Sequence, residues 1–226
     1  MPARNLIRFE GDDCYYHVYN RGVEKRIIFE DEQDYKVFLN YLKEYLSPPP
    51  DLSKITKTFT LQGFSFQGVP HQPKNYFEKV ELLAYCLMPN HFHLFLHQKN
   101  EHDIEKFMRS LLTRYSMYFN KKYDRVGSLF QGPYKSAIVR DESYFLHLSR
   151  YIHLNPSEYT KDLVSAYSSY SEYLGLRKTP WIHPEKILFF FKQASKDFIQ
   201  KENSYKNFVK NYKIDSTSIL ENLTLE

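Results

Sequence analysis

The sequence predicts an α+β fold, a sheet with helices on one face followed by a helical appendage. Two observations point there. Four runs rich in β-branched and aromatic residues recur along the first two thirds of the chain. Between and after them lie stretches whose apolar residues repeat at helical spacing. The order is β-α-β-β-α-β-α, that of a ferredoxin-like sandwich. With 42% hydrophobic residues, among them 20 tyrosines and 18 phenylalanines, the 226-residue chain can bury a substantial core.

"CYYHVYNRG" (14–22) reads as the first strand, stopped at Gly22. "EDEQDYKVFLNYLKEYL" (30–46) places acids first and apolar residues at Phe38, Leu39, Leu42, Tyr45 and Leu46, a helix with a favourable N-terminus. "SPPPD" ends it. Residues 47–78 read as an irregular insertion with a hairpin around "FTLQGFSFQG". "KVELLAYCLM" (79–88), a "PN" turn and "HFHLFLHQ" (91–98) form an antiparallel strand pair. A long helix over 101–123 carries Ile104, Phe107, Leu111, Leu112, Tyr115 and Phe119 on one stripe. "PYKSAIVRD" (133–141) is the fourth strand, and "ESYFLHLSRYIHLNP" (142–156) a helix closed by Pro156. The main domain spans residues 1–160 and a partly helical extension spans 161–226.

Several function classes are excluded or disfavoured. Cys14 and Cys86 form no CxxC pair, which argues against a disulfide framework and a cysteine zinc site. The first residues hold no apolar signal segment, and no uncharged apolar run is long enough to cross a bilayer. The expectation is a cytoplasmic protein without a membrane partner. A net charge of +4 alone says little about partners.

The chemistry concentrates at "NHFHLFLH" (90–97). On a strand, residues i and i+2 share a face, so His91 and His93 point together and Phe92 points away. Two neutral imidazoles at that spacing can bind one divalent ion. Spacing alone leaves the ligand and the structural readings both open. A tyrosine and a third ligand on one helix face would stand four residues apart. Of the 20 tyrosines, only Tyr16 (with Asn20) and Tyr151 (with Asn155) have Asp, Glu, Asn, Gln or His at i+4. The first pair lies in a strand, where i+4 separates the two, so Tyr151–Asn155 is the helical candidate. Between residues 105 and 140, Lys106, Arg109, Arg114, Lys121, Lys122, Arg125, Lys135 and Arg140 face only Glu105 and Asp124. Aromatics are interleaved among them. That mixture suits a single nucleic-acid strand, with phosphates neutralised and bases stacked, although such a run is usually a solvated face.

"YCLMPNHFHLFLH", "YFNKKYDRVGSLFQGPYKSAIV" and "LSRYIHLNP", in this order, resemble the single-tyrosine HUH transposases. The REP-associated tyrosine transposases and their insertion-sequence relatives are most alike, and "MPARNLIRFEGDDCYYHVYNRG" is similar to their N-terminus. The resemblance covers roughly residues 1–175. It implies the HUH endonuclease fold and metal-dependent cleavage and rejoining of single-stranded DNA, at a hairpin with a flanking guide sequence. A 5′-phosphotyrosine intermediate and a free 3′-hydroxyl are implied too. Carried over, His91 and His93 are the HUH ligands, Tyr151 the nucleophile and Asn155 the third ligand, with Mg²⁺ or Mn²⁺ as the ion. Arg21, Arg109, Arg114, Lys121, Lys122, Arg125 and Lys135 are the candidate DNA contacts. Pro133 stands where relatives commonly carry arginine, which favours the alternative of a domesticated, non-cleaving binder of single-stranded nucleic acid. The chain would act as a monomer or a homodimer. His97 is expected to be structural or to support the ligands, and His17 and His147 to be structural, His147 being the nearer to the site.

Overall fold

A computed structural model describes residues 11–194 and 205–211. The N-terminal stretch 1–10 of the resemblance and part of the expected tail helix lie outside the described residues. The strands of the main sheet are β1 (Cys14–Arg21), β4 (Val80–Met88), β5 (His91–Gln98) and β6 (Lys135–Val139). Their order is β4-β5-β1-β6, and every adjacent pair is antiparallel. This is the ferredoxin-like arrangement the element order implies. Helix α1 (Glu32–Leu46) follows β1, α2 (Asp103–Lys122) follows β5 and α3 (Glu142–Leu154) follows β6.

Strand alternation sorts the side chains into two cores. Tyr16, Val18, Phe92, Leu94 and Leu96 face α1 and α2, where they meet Phe38, Leu42, Ile104, Phe107 and Leu111. Phe95, Cys86, Ala84 and Met88 face the other way, against Leu148 and Ile152 of α3. Each fully buried side chain of this kind contributes about 1.5–3 kcal/mol. A register shift between Leu82 and Ala84 puts Leu83 and Ala84 in the same core. Helices therefore cover both faces of the sheet, and the expectation of one covered face is corrected. The reason lies in α3, whose apolar stripe needs a second surface because α1 and α2 already fill the first.

The segment after α3 completes that second face. Helices α4 (Tyr170–Tyr173), α5 (Glu185–Ala194) and α6 (Tyr205–Lys210) bring Tyr170, Tyr173, Ile187, Tyr205 and Val209 into its core. His153 ties them to α3 through Nδ1 to the Tyr205 hydroxyl (2.6 Å) and Nε2 to Ser169 Oγ (2.8 Å). Burial holds this imidazole neutral, its pKa lowered to about 3.

The 47–78 insertion contains the hairpin, with β2 (Lys57–Leu61) and β3 (Phe64–Gly68) joined by Gln62 and Gly63. Both turn residues have positive φ, 49° and 85°, the type I′ signature of tight hairpins. Pairs Phe59↔Phe66 and Leu61↔Phe64 share one face, and Thr58↔Gln67 and Thr60↔Ser65 share the other. Among the described residues, no helix is long and apolar enough to cross a membrane.

Candidate active site on the α3 face of the sheet

β5 opens directly after the turn at Pro89 and Asn90, so its first residues sit at one end of the sheet. His91 and His93 share the α3 face, their ring centroids 5.1 Å apart. β1 runs antiparallel alongside and sets Tyr19 opposite His93 and Arg21 opposite His91. β6 then sets Lys135 opposite Tyr19. One row across three strands thus reads His93, Tyr19, Lys135.

α3 begins on an Asp141 cap that accepts from the Tyr144 amide at 2.7 Å. It ends at Asn155, the C-cap. Tyr151, one turn earlier, lays its ring edge-on to His93 with centroids 5.4 Å apart, and edge-on to His17 at 6.0 Å. Asn155 donates Nδ2 back to the Tyr151 carbonyl at 2.9 Å. Its amide favours the charged forms of both neighbours, acting to raise the His91 pKa and to lower that of the Tyr151 phenol. All four residues come from one chain. The C-terminal end of a helix is a favourable place for a cation.

The two histidines are prepared as neutral donors. His91 Nδ1 is held by Asn90 Oδ1 at 2.6 Å, which leaves Nε2. Burial lowers its pKa to about 4, against the raising effect of Asn155 and with help from Arg21. His93 is fully buried, and its Nδ1 meets His17 Nε2 at 2.9 Å. Its Nε2 is buried with no hydrogen-bond partner among the described residues. Burial, His17 and His91 hold it well below the ordinary histidine range. An orphaned ring nitrogen beside a second neutral imidazole and an amide is a donor set that fits a divalent cation. Among the described residues no three His, Cys, Asp or Glu side chains gather into a metal cluster. Tyr151 is pushed up to about 12 by burial, with Asn155 pulling down and Glu158 adding to the rise.

The expected DNA contacts separate into two groups. Arg21 and Lys135 stand on the site face, Arg21 half-buried and Lys135 exposed with Nζ 5.9 Å from the Tyr19 ring. Pro133 is exposed, two residues before Lys135, in a loop held by Asn20 Nδ2 on the Gly132 carbonyl (3.1 Å). The remaining five lie on α2 or just after it, across the sheet from the site. Lys122 pairs with Asp31 and Asp34 at 2.8 Å, and Arg114 with Glu44 at 2.6 Å. Arg109 pairs with Glu105 and Arg125 with the Asn120 amide; Lys121 is exposed. The acids that answer Arg114 and Lys122 come from α1 and its cap, which a count along 105–140 does not see.

Residues 73–155 match the family described as "Transposase IS200 like". The match is confined to that segment, which is similar to the IS200-like transposases. That segment runs from the approach to β4 through α3 and contains His91, His93, Tyr151 and Asn155. A solved structure of a REP-associated tyrosine transposase bound to a REP hairpin has the same fold, with a TM-score of 0.50 and 10% identity. The match covers 79% of this chain and 96% of that one. No curated protein matches.

Of the other histidines, only His17 departs from expectation. His97 shares the site face but is held by Glu81 at 2.8 Å and Asp13 at 2.7 Å, away from the pair. His147 pairs with Arg150. His17, expected to be the more remote of the two, touches His93 directly. The signal available in the sequence was parity. His17 shares its strand face with Tyr19 and Arg21, and only the pairing of β1 with β5 turns that into a contact.

Proposed function

We propose that this protein is a transposase that cleaves and rejoins single-stranded DNA at Tyr151. The Tyr151 phenolic oxygen attacks the scissile phosphorus and loses its proton. The P–O3′ bond breaks, the departing oxygen takes a proton to become a free 3′-hydroxyl, and the 5′-phosphate stays linked to tyrosine. Resealing reverses these steps with the same or another 3′-hydroxyl. The observation that carries the reading is the approach of the Tyr151 ring to His93 on the face where His91 and Asn155 also converge.

His91, His93 and Asn155 would hold Mg²⁺ or Mn²⁺. Such an ion supplies charge stabilisation to the phosphate and favours phenolate formation. The chain's own residues do the rest. Burial keeps both imidazoles unprotonated at neutral pH, α3 presents the phenol, and Arg21 and Lys135 neutralise the phosphates on either side of it. The likeness to a hairpin-bound REP transposase supports a hairpin-forming substrate. Because one chain supplies every residue, a monomer suffices.

The test is a labelled single-stranded hairpin oligonucleotide incubated with the protein and Mg²⁺ or Mn²⁺. A covalent adduct that withstands denaturation and is lost in Tyr151→Phe is expected. Cleavage with no adduct would mean hydrolysis by water. Binding with no cleavage across many hairpins would mean a domesticated binder.

A further inference from the structure

We propose that His17 is a positioning residue that holds His93 as its Nδ1–H tautomer, leaving the His93 Nε2 lone pair for a cation. The proposal rests on the metal reading above. His17 comes from β1, outside the residues that match the transposase family.

The two rings are fully buried and nearly parallel, with an interplanar angle of 18° and a 2.9 Å contact from His17 Nε2 to His93 Nδ1. One proton lies between those nitrogens, and two arrangements satisfy it. In the first, His93 Nδ1–H donates to His17 Nε2, and His17 carries its own proton on Nδ1. In the second, His17 Nε2–H donates, and His93 must carry its proton on Nε2. His93 Nε2 and His17 Nδ1 are both buried with no partner among the described residues. Each arrangement therefore leaves one N–H and one lone pair unpaired. A cation at His93 Nε2 satisfies an orphaned atom only in the first. Cation binding therefore selects that tautomer, and His17 is the group that makes it available.

Packing fixes the same geometry. The His17 ring stacks on Tyr19 at 4.9 Å and meets Tyr151 edge-on. The acceptor is thus anchored by the element beside the ligand strand and by the nucleophile's helix. His91 is served in the same way by Asn90. Each ligand histidine has its Nδ1 occupied by a neighbour, and the Nε2 of His93 is left without a partner among the described residues.

The experiment uses the full chain with Mn²⁺ as the probe. His17→Phe keeps a flat apolar ring but removes the acceptor, and His17→Gln offers an amide oxygen in its place. Expected is a weakening of Mn²⁺ affinity by about 10–100-fold in His17→Phe, with substantial recovery in His17→Gln. Long-range proton–nitrogen NMR of the diamagnetic Mg²⁺-loaded wild type should show His93 protonated on Nδ1. Wild-type affinity in His17→Phe, alongside loss in a His91→Ala control, would overturn the role of His17 while leaving the metal site standing. A proton on His93 Nε2 in the loaded protein would overturn it as well. Absence of Mn²⁺ binding by the wild-type chain would overturn the metal reading and this proposal together. Should His17→Phe fail to fold, the His17→Gln affinity and the wild-type tautomer decide.

Discussion

Asp34→Ala should unlock the α1–α2 face without touching the candidate active site. The Asp34 side chain is fully buried. It accepts from the Glu30 amide at 2.8 Å, from the hydroxyls of Tyr123 at 2.8 Å and Tyr118 at 2.9 Å, and from Lys122 Nζ at 2.8 Å. It also closes the capping box of α1 with Asp31. Truncation removes the half of the box made by the Asp34 carboxylate, while the backbone amide at position 34 still donates to Asp31 Oδ1. It also strands two tyrosine hydroxyls and half the pairing of Lys122, which Asp31 still serves. These effects share one carboxylate and do not add, so a total of about 3–5 kcal/mol is expected. For a chain of this size that lowers the melting temperature by about 6–20 °C. Burial raises the Asp34 pKa, but Lys122, Tyr123 and Tyr118 outweigh it and leave the pKa lowered. A lowered carboxylate pKa stabilises fully above its unfolded value, near about 4, and the contribution fades as pH falls below that. Urea midpoints at pH 7 and pH 3 should therefore converge between wild type and Asp34→Ala. A melting point within about 2 °C of wild type at pH 7 would refute the network.

Other consequences are equally direct. Arg21→Ala and Lys135→Ala should each lower the slope of log affinity for single-stranded DNA against log salt by about 0.7, whereas Lys122→Ala and Arg114→Ala leave it unchanged; equal effects from all four would put the α2 face on the DNA. Because burial raises the Tyr151 phenol to about 12, the single-turnover cleavage rate should climb about tenfold per pH unit from pH 7 until the bound cation's own influence levels it. A rate that falls as pH rises across that range would contradict loss of the phenol proton. Phe64 is 80% exposed on the apolar face of the β2–β3 hairpin, so Phe64→Ser should move the melting temperature by no more than about 2 °C. A larger drop by differential scanning fluorimetry would show that the hairpin packs on the domain.

Local patterns carried much of this structure. Strand parity placed His91 and His93 together, helical spacing paired Tyr151 with Asn155, and the Gln62–Gly63 turn marked the hairpin. What stayed hidden depends on contacts between residues distant in sequence. His17 reaches His93 across 76 positions through strand pairing. Glu44 answers Arg114 across 70 positions and Asp34 answers Lys122 across 88, so a basic run in sequence became a set of ion pairs in space. The side of the sheet that α3 takes is likewise decided by which face remains open, which no stretch of α3 records by itself.

Trypsin, cutting after Arg150 and Lys161, releases Tyr151 and Tyr159 on a single peptide, Tyr151–Lys161. Mass spectrometry of that peptide, after reaction with single-stranded DNA and nuclease trimming, asks directly which tyrosine becomes linked. A nucleotide mass on Tyr151 is expected. The same mass on Tyr159, or an unmodified Tyr151–Lys161 peptide with the nucleotide on the separate tryptic peptide that carries Tyr19, would contradict the assignment of Tyr151 as the nucleophile.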